Sequence, residues 1–253
     1  MHSSAVEFVR RKKNGAKVPE PVVEGVNMVK LLARSADFEQ AVLDCFPVGD
    51  FRLAVSSKQR ELAAAACTLC IEHAGVLRAA FALSAPNSGS AVLRLQYEAL
   101  LRAAWLLFSA STAQIEKLGR TLDLEAEQAA KNLPGYLEML DAVAKKAPAG
   151  LSAPLAEFNQ YSRHALNSFV HAGIHPLRRA RDGYPIEMAA TIVRFSTGLM
   201  HFAYRMLASL SGSQQLMDRV TKLYVEYQDC VPMAAGANSP GDAAESTSPA
   251  RDE

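Results

Sequence analysis

The segment from Ser90 to about Ser109 constrains the fold most, because its apolar residues cover nearly every face of a helix. A helix that is hydrophobic all round must be enclosed by other elements. The flanking segments also repeat their apolar residues with helical spacing, and only RLAVSS at 52–57 alternates as a short strand would. We therefore predict an all-α fold, a single-domain bundle of five to six main helices with this one at its centre.

Proline, glycine and polar residues separate the predicted helices. Two short amphipathic stretches lie near 26–32 and 38–45, and Pro47 ends the second. Ser57 is a predicted N-cap for the first long helix. The longer predicted helices cover 58–83, 90–109, 123–146 with a bend near Pro134, 155–172, 185–210 and 214–229.

Both ends of the chain differ in composition from its middle. Residues 1–21 predict a flexible basic leader, and residues 231–253, rich in Ala, Ser, Pro, Gly and acid, predict a disordered tail. The folded domain is then 22–230. The four scattered cysteines favour a cytoplasmic protein. The net charge of +1 gives no overall positive potential that would attract polyanions. The longest apolar run, Ala103 to Ala110, is too short to span a membrane, so no membrane association is expected.

A polar stripe is the most informative pattern in the chain. Arg163, Asn167 and His171 are spaced by four on an otherwise apolar predicted helix. Imidazoles and guanidiniums are the side chains that acid–base cleavage of a phosphodiester needs, so this stripe predicts a catalytic site. A purely structural role, in which His171 caps carbonyls and Asn167 bonds a neighbouring helix, remains the alternative. The further cations expected to bind RNA are Arg102, His175, Arg178 and Arg179.

The helical bundle with an Arg–polar–His stripe resembles the HEPN superfamily over roughly residues 58–210. Members are helical proteins of bacterial defence and toxin–antitoxin loci, and many are metal-independent ribonucleases. Their signature places four to six residues between the Arg and the His, whereas seven separate Arg163 from His171 here. The resemblance implies RNA cleavage or RNA binding, a homodimer and a cognate antitoxin or defence partner. It also implies that His171 acts as general acid or base, oriented by Asn167, while an arginine neutralises the phosphate.

A second polar series lies on the central helix. Arg94, Glu98 and Arg102 are again spaced by four, with few other charges around them. An unpaired buried charge costs several kcal/mol, so these groups either pair with one another or face a cleft. In the first case they fix helix register. In the second, Glu98 orients a histidine and either Arg94 or Arg102 meets the substrate phosphate, so that Arg94 and Glu98 join the catalytic site.

The remaining patterns favour structural roles. The Cys67, Cys70 and His73 series lacks a second cysteine pair, so we predict buried thiols and neither a metal site nor a cofactor. His201 and Arg205 predict a polar pair in the core. Two other functions remain open. One is a non-catalytic helical protein–protein interaction module, and the other is a small-molecule sensor with a pocket lined by Tyr97, Trp105 and His201.

Overall fold

The computed structural model describes residues 26–47, 51–124, 128 and 131–232. All regular structure within these ranges is helical, so the all-α prediction is confirmed. The described ranges contain nine α-helices, more than the five to six predicted, followed by a short 3₁₀ turn at Gln228–Cys230. The α-helices are α1 Met28–Leu43, α2 Lys58–Ala82, α3 Pro86–Phe108, α4 Thr112–Leu118, α5 Tyr136–Lys146, α6 Ala149–Val170, α7 Ile174–Asp182, α8 Ile186–Leu210 and α9 Gln214–Glu226.

The central helix is α3, as its all-round apolar sequence predicted. It packs against α2, α5, α6 and α8, and the side chains of Tyr97, Leu100 and Trp105 are almost wholly buried. The Tyr97 hydroxyl donates a hydrogen bond to the Leu155 carbonyl of α6 at 3.1 Å, and its ring lies 4.9 Å from that of Phe158. These contacts fix α6 on α3 and thereby position the predicted polar stripe.

A second buried helix, α8, is held in register by polar side chains inside the core. Ser196 and Gln96 of α3 exchange two hydrogen bonds, of 2.7 and 2.9 Å. One residue further along α8, the Thr197 hydroxyl lies 2.7 Å from the Ser35 hydroxyl of α1. Each of these buried polar groups finds a partner only in one alignment of the helices, so together they specify how α1 and α3 pack on α8.

The helix boundaries differ from the predicted ones where proline or glycine was read as a stop. The stretches near 26–32 and 38–45 form one helix, α1. The predicted 123–146 helix is interrupted around Pro134, because Leu124 and Gln128 are helical, residues 131–135 are not, and α5 covers 136–146. Helix α6 begins at Ala149 and contains Pro154. Pro176, expected to lie beyond a helix end, is the third residue of α7, where its missing N–H has no intrahelical acceptor to lose. The strand-like segment 52–57 is irregular.

The turn between α6 and α7 is a Schellman motif that begins at the candidate residue His171. His171 is the C-cap of α6, Ala172 adopts a left-handed conformation with φ 52°, and the Gly173 N–H donates to the Ser168 carbonyl at 2.8 Å. Helix α7 therefore starts at Ile174, three residues after His171.

Helix α2 is the one described helix long and apolar enough to cross a membrane by composition, a test that core helices also pass. Its face formed by Cys67, Cys70 and Leu77 is buried against the other helices.

The packed chain continues past the predicted domain end at 230, because Val231 is buried. The predicted leader and most of the predicted tail lie outside the described residues.

Candidate functional site

The polar stripe turns from the bundle towards solvent along α6. Successive residues spaced by four are rotated by about 40°. Arg163 is half-buried beside the packed face, whereas Asn167 and His171 are exposed. The Nη2 atom of Arg163 lies 3.3 Å from Nε2 of His164, its neighbour in sequence. The three predicted residues therefore share one helix but point progressively away from the core.

The surface around the stripe carries only positive or neutral groups over a long stretch of chain. Residues 158–181 contain four arginines and three histidines and no aspartate or glutamate. Arg178 and Arg181 of α7 are exposed, and Arg181 pairs with Asp182 just beyond this stretch at 2.6 Å. The arginines around it hold the pKa of the Asp182 carboxyl below its usual range, the hydrogen bond from Arg181 being the main cause. We call the side chains of half-buried Arg163 and of exposed Asn167, His171, Arg178 and Arg181 the α6–α7 surface.

Arg94 and Glu98 pair with each other. Arg94 is only 4% exposed, and its Nε donates to the Glu98 carboxylate at 2.7 Å. Its guanidinium lies 3.9 Å above the ring centre of Tyr136, at the start of α5. Among the described residues, no hydrogen bond or ion pair connects Arg94 or Glu98 to the stripe, and the composite site stays a prediction. Arg102, two turns along α3 from Arg94, is half-buried.

Helix α7 has a second, less exposed face that carries His175 and Arg179. The backbone N–H of His175 donates to the Ser168 hydroxyl at 3.1 Å, and its imidazole stacks on the Phe169 ring at 6.0 Å. Gly173 permits the first contact, because a Cβ there would lie 2.6 Å from the Ser168 oxygen. Arg179 follows His175 by four residues, so both side chains lie on the same face of α7.

Tyr184, between α7 and α8, completes this arrangement. Its hydroxyl lies 2.6 Å from the Ser90 hydroxyl in the first turns of α3, and its ring contacts the rings of Phe81 and Phe169. Burial raises the pKa of Tyr184, while the hydrogen bond with Ser90 and the positive charge of Arg179 act against this rise. We call Ser90, His175, Arg179 and Tyr184 the α7 cluster.

Sequence analysis had named His175 and Arg179 but missed Tyr184 and Ser90. The two missed residues are 94 positions apart, and no spacing in the sequence connects them. Gly89, next to Ser90, is the one local sequence feature that points to this contact. A Cβ at Gly89 would lie 2.6 Å from the Phe81 ring, so the glycine beside Ser90 leaves room for the ring that supports Tyr184.

The residues of the predicted sensor pocket lie in the core. Tyr97, Trp105 and His201 are each almost fully buried. A cavity of about 580 Å³ lies between α6 and α8, where the aromatic rings of Phe158, Phe195 and Phe202 line it with Tyr161 and Arg194. None of the three predicted residues lines this cavity, and the sensor function stays a prediction.

The two cysteines of α2 are buried thiols, and His201 is a core histidine. Burial raises the pKa of Cys67 to about 12 and also raises that of Cys70. A thiol that resists ionisation is a poor metal ligand. The Nε2 atom of His201 donates to the Val220 carbonyl at 2.9 Å, and burial lowers its pKa to about 4. A carbonyl of α9 and not Arg205 is therefore its hydrogen-bond partner.

Comparison with protein families places the chain in one of them. A family described as a family of unknown function (DUF6988) matches residues 67–233, which is more than half of the chain. The chain belongs to this family. Both the α6–α7 surface and the α7 cluster lie within the matched residues. No curated protein and no solved structure matches the chain.

Proposed function

We propose that this protein binds RNA through the α6–α7 surface and cleaves it by acid–base chemistry that needs no metal. The acid-free stretch 158–181, with its exposed arginines and histidines, is the observation that carries the proposal. Cationic side chains that neutralise phosphates supply most of the affinity of a protein for a nucleic acid. The resemblance to the HEPN superfamily supports the same function, and with it a cytoplasmic homodimer acting with an antitoxin or defence partner.

His171 is the proposed catalytic residue. In the reaction, a ribose 2′-oxygen forms a bond to phosphorus and loses its proton to a base, while the bond to the 5′-oxygen breaks and that oxygen gains a proton. An imidazole can act at either end of this transfer. In this proposal Asn167, one turn earlier on α6, orients His171. Arg163 supplies the charge that stabilises the phosphorane-like transition state.

RNA binding is tested by removing two charges from the α6–α7 surface. We expect the double variant Arg163→Gln/Arg178→Gln to bind single-stranded RNA at least about tenfold more weakly. The slope of log K against log salt should decrease by about 1.4, since each phosphate contact with a single strand contributes about 0.7. The matched control is Lys30→Gln/Lys222→Gln, which removes two exposed charges from α1 and α9. Equal weakening in both double variants would show that no defined surface binds RNA.

Cleavage is tested by incubating the purified protein with RNA in EDTA. Shortened products with 2′,3′-cyclic phosphate ends support the proposed chemistry, because this end results from attack by the 2′-hydroxyl. Intact RNA at protein excess, with the protein folded and binding, would overturn the catalytic part and leave RNA binding in place.

A non-catalytic interaction module is the second candidate, and exposed apolar side chains favour it. Val170, Ile174 and Leu177 are 39%, 60% and 65% exposed at the end of α6 and on α7. Such side chains grouped near one another are typical of surfaces that bind another protein. If this candidate is correct, Ile174→Asp/Leu177→Asp abolishes self-association in sedimentation velocity. RNA binding would then be absent from the wild type.

A further inference from the structure

Arg179 differs from three other enclosed arginines of the fold in its charge partners. Arg34, Arg78 and Arg94 each contact a carboxylate, of Asp229, Glu39 and Glu98 respectively. Arg179 forms no ion pair with a carboxylate among the described residues, and its Nε–H is buried without a hydrogen-bond acceptor, a feature that it shares with Arg205 of α8. Asp182, whose carboxylate is within range of the Arg179 charge, is bound by Arg181 through two hydrogen bonds. A guanidinium is always charged, and a buried donor without an acceptor is unfavourable.

The other members of the α7 cluster carry no carboxylate. His175 lies on the same face of α7, four residues earlier, with its ring 6.0 Å from that of Phe169 and inclined by 27°. The Tyr184 hydroxyl lies within range of the Arg179 charge, and Ser90 holds it in place. The Ser90 hydroxyl donates its proton to the Pro86 carbonyl at 2.7 Å, so the Tyr184 hydroxyl donates to Ser90. The imidazole of His175 is therefore the further donor on the face that carries Arg179.

This set matches the chemistry of a tetrahedral oxyanion. A carboxylate has two oxygens in one plane, whereas a phosphoryl group presents three in different directions and carries more charge. We propose that the α7 cluster binds a phosphoryl group, with Arg179 as its cation, His175 as a second donor and Tyr184 as a positioning residue. This site is separate from the exposed stripe and does not depend on the proposed RNA cleavage.

The test follows the arginine Nε–Hε signals of the whole protein by nuclear magnetic resonance during titration with sodium phosphate. Sodium chloride at equal ionic strength is the reference. We expect the Arg179 signal, assigned from its loss in Arg179→Gln, to shift saturably with a Kd on the order of 1 mM. A few charge-assisted hydrogen bonds give a small anion about this affinity.

Arg178→Gln is the matched control, because it removes the same charge from the adjacent, exposed position. Measured on the remaining protein signals, phosphate affinity should fall at least about tenfold in Arg179→Gln and less than about twofold in Arg178→Gln. Arg179→Lys keeps the charge but loses the Nε–H, so an intermediate affinity is expected. Equal weakening in the two glutamine variants, or a wild-type response no different from that to chloride, would overturn the proposal. Thermal melts confirm that each variant is folded.

Two further titrations distinguish the sources of the phosphoryl group. If it is the end of an RNA strand, 5′-phosphorylated RNA binds more tightly than 5′-hydroxyl RNA, and Arg179→Gln removes the difference. If it belongs to a free phosphate ester, glycerol 3-phosphate shifts the Arg179 signal while the two RNAs bind equally. Either result supports the site. The Arg163→Gln/Arg178→Gln variant should still bind phosphate, so failure of the RNA proposal is visible separately.

Discussion

His171 occupies a position in which an imidazole is both fixed and accessible. Its backbone N–H donates to the Asn167 carbonyl at 3.2 Å, which places its Cα at the end of α6, while its side chain remains exposed. A fixed backbone position and an exposed imidazole are two conditions for proton transfer to a large substrate, and His171 meets both. His164, exposed on the same helix, lacks the cap position, and its Nε2 lies 3.3 Å from Nη2 of Arg163.

We predict that His171→Ala decreases RNA cleavage by a factor of about 10²–10⁴ and leaves RNA affinity within about twofold. The reason is that the variant loses a proton donor or acceptor but no arginine. The measurement is single-turnover cleavage in EDTA at protein excess, with His164→Ala as the control. Equal rates for His171→Ala and the wild type would assign His171 to capping alone.

The left-handed residue after His171 gives a prediction about stability. Ala172 has φ 52°, a conformation that a side chain disfavours and glycine adopts freely. We predict that Ala172→Gly increases the free energy of unfolding by about 0.5–1 kcal/mol in urea titrations. Ala165→Gly, inside the same helix, should decrease it by about 1 kcal/mol. Destabilisation by both substitutions would contradict the turn geometry described for residues 171–173.

At the scale of helices, the long apolar elements could be predicted from the sequence and the short connecting ones could not. The N-cap role of Ser57 and the approximate span of α8 follow from local signals, and both agree with the structure. Helix α7 was missed because Pro176 fits either beyond a helix end or in a first turn, and only the α6–α3 packing decides between the two. The α7 cluster was half-predicted for the same reason. His175 and Arg179 follow from local sequence, whereas Tyr184 and Ser90 meet through tertiary contacts.

Arg94 and Glu98 form an ion pair within α3, and Arg94 connects α3 to the start of α5 through the ring of Tyr136. We predict that Arg94→Ala decreases the free energy of unfolding by about 2–3 kcal/mol, since it removes the stacking on Tyr136 and leaves Glu98 unpaired. Glu98 is 39% exposed, so water partly compensates and Glu98→Gln should cost less than about 1 kcal/mol.

RNA affinity and cleavage per folded molecule should stay unchanged in both variants. Urea titration gives the stability, and the cleavage assay on the folded fraction gives the activity. A loss of activity without a loss of stability would support the composite site that the sequence predicted.

At the scale of the whole molecule, the core sets how the fold responds to pH. His201 of α8 lies between the rings of Phe38 of α1 and Tyr224 of α9, each 5.3 Å away and tilted by 34°, and is 2% exposed. Burial and the positive charge of Arg205 favour its neutral form, while the hydrogen bond from Nε2 to the Val220 carbonyl acts in the opposite direction. Protonation of this single residue therefore opposes the packing of three helices.

The folded and unfolded chains then bind different numbers of protons at mildly acidic pH. Burial lowers the pKa of His201 from 6.5 to about 4 in the folded protein. Below about pH 6.5 the unfolded chain takes up a proton that the folded chain refuses until about pH 4. The stability present at neutral pH should therefore decrease by as much as about 1.4 kcal/mol per pH unit in this window. His73, whose pKa burial also lowers, adds to the decrease in the same direction.

The contribution of His201 is isolated by comparison with His201→Gln, whose amide can still donate to the Val220 carbonyl but does not titrate. We predict that wild-type protein loses about 2 kcal/mol more than this variant between pH 7 and pH 5, measured by urea unfolding at both values. The control His164→Gln removes an exposed histidine of α6 and should follow the wild type at both pH values. Because His73 is present in all three proteins, its effect cancels from the differences. A wild-type loss equal to that of His201→Gln would mean that His201 is protonated in the folded state, and the packing of α1, α8 and α9 around a neutral ring would have to be abandoned.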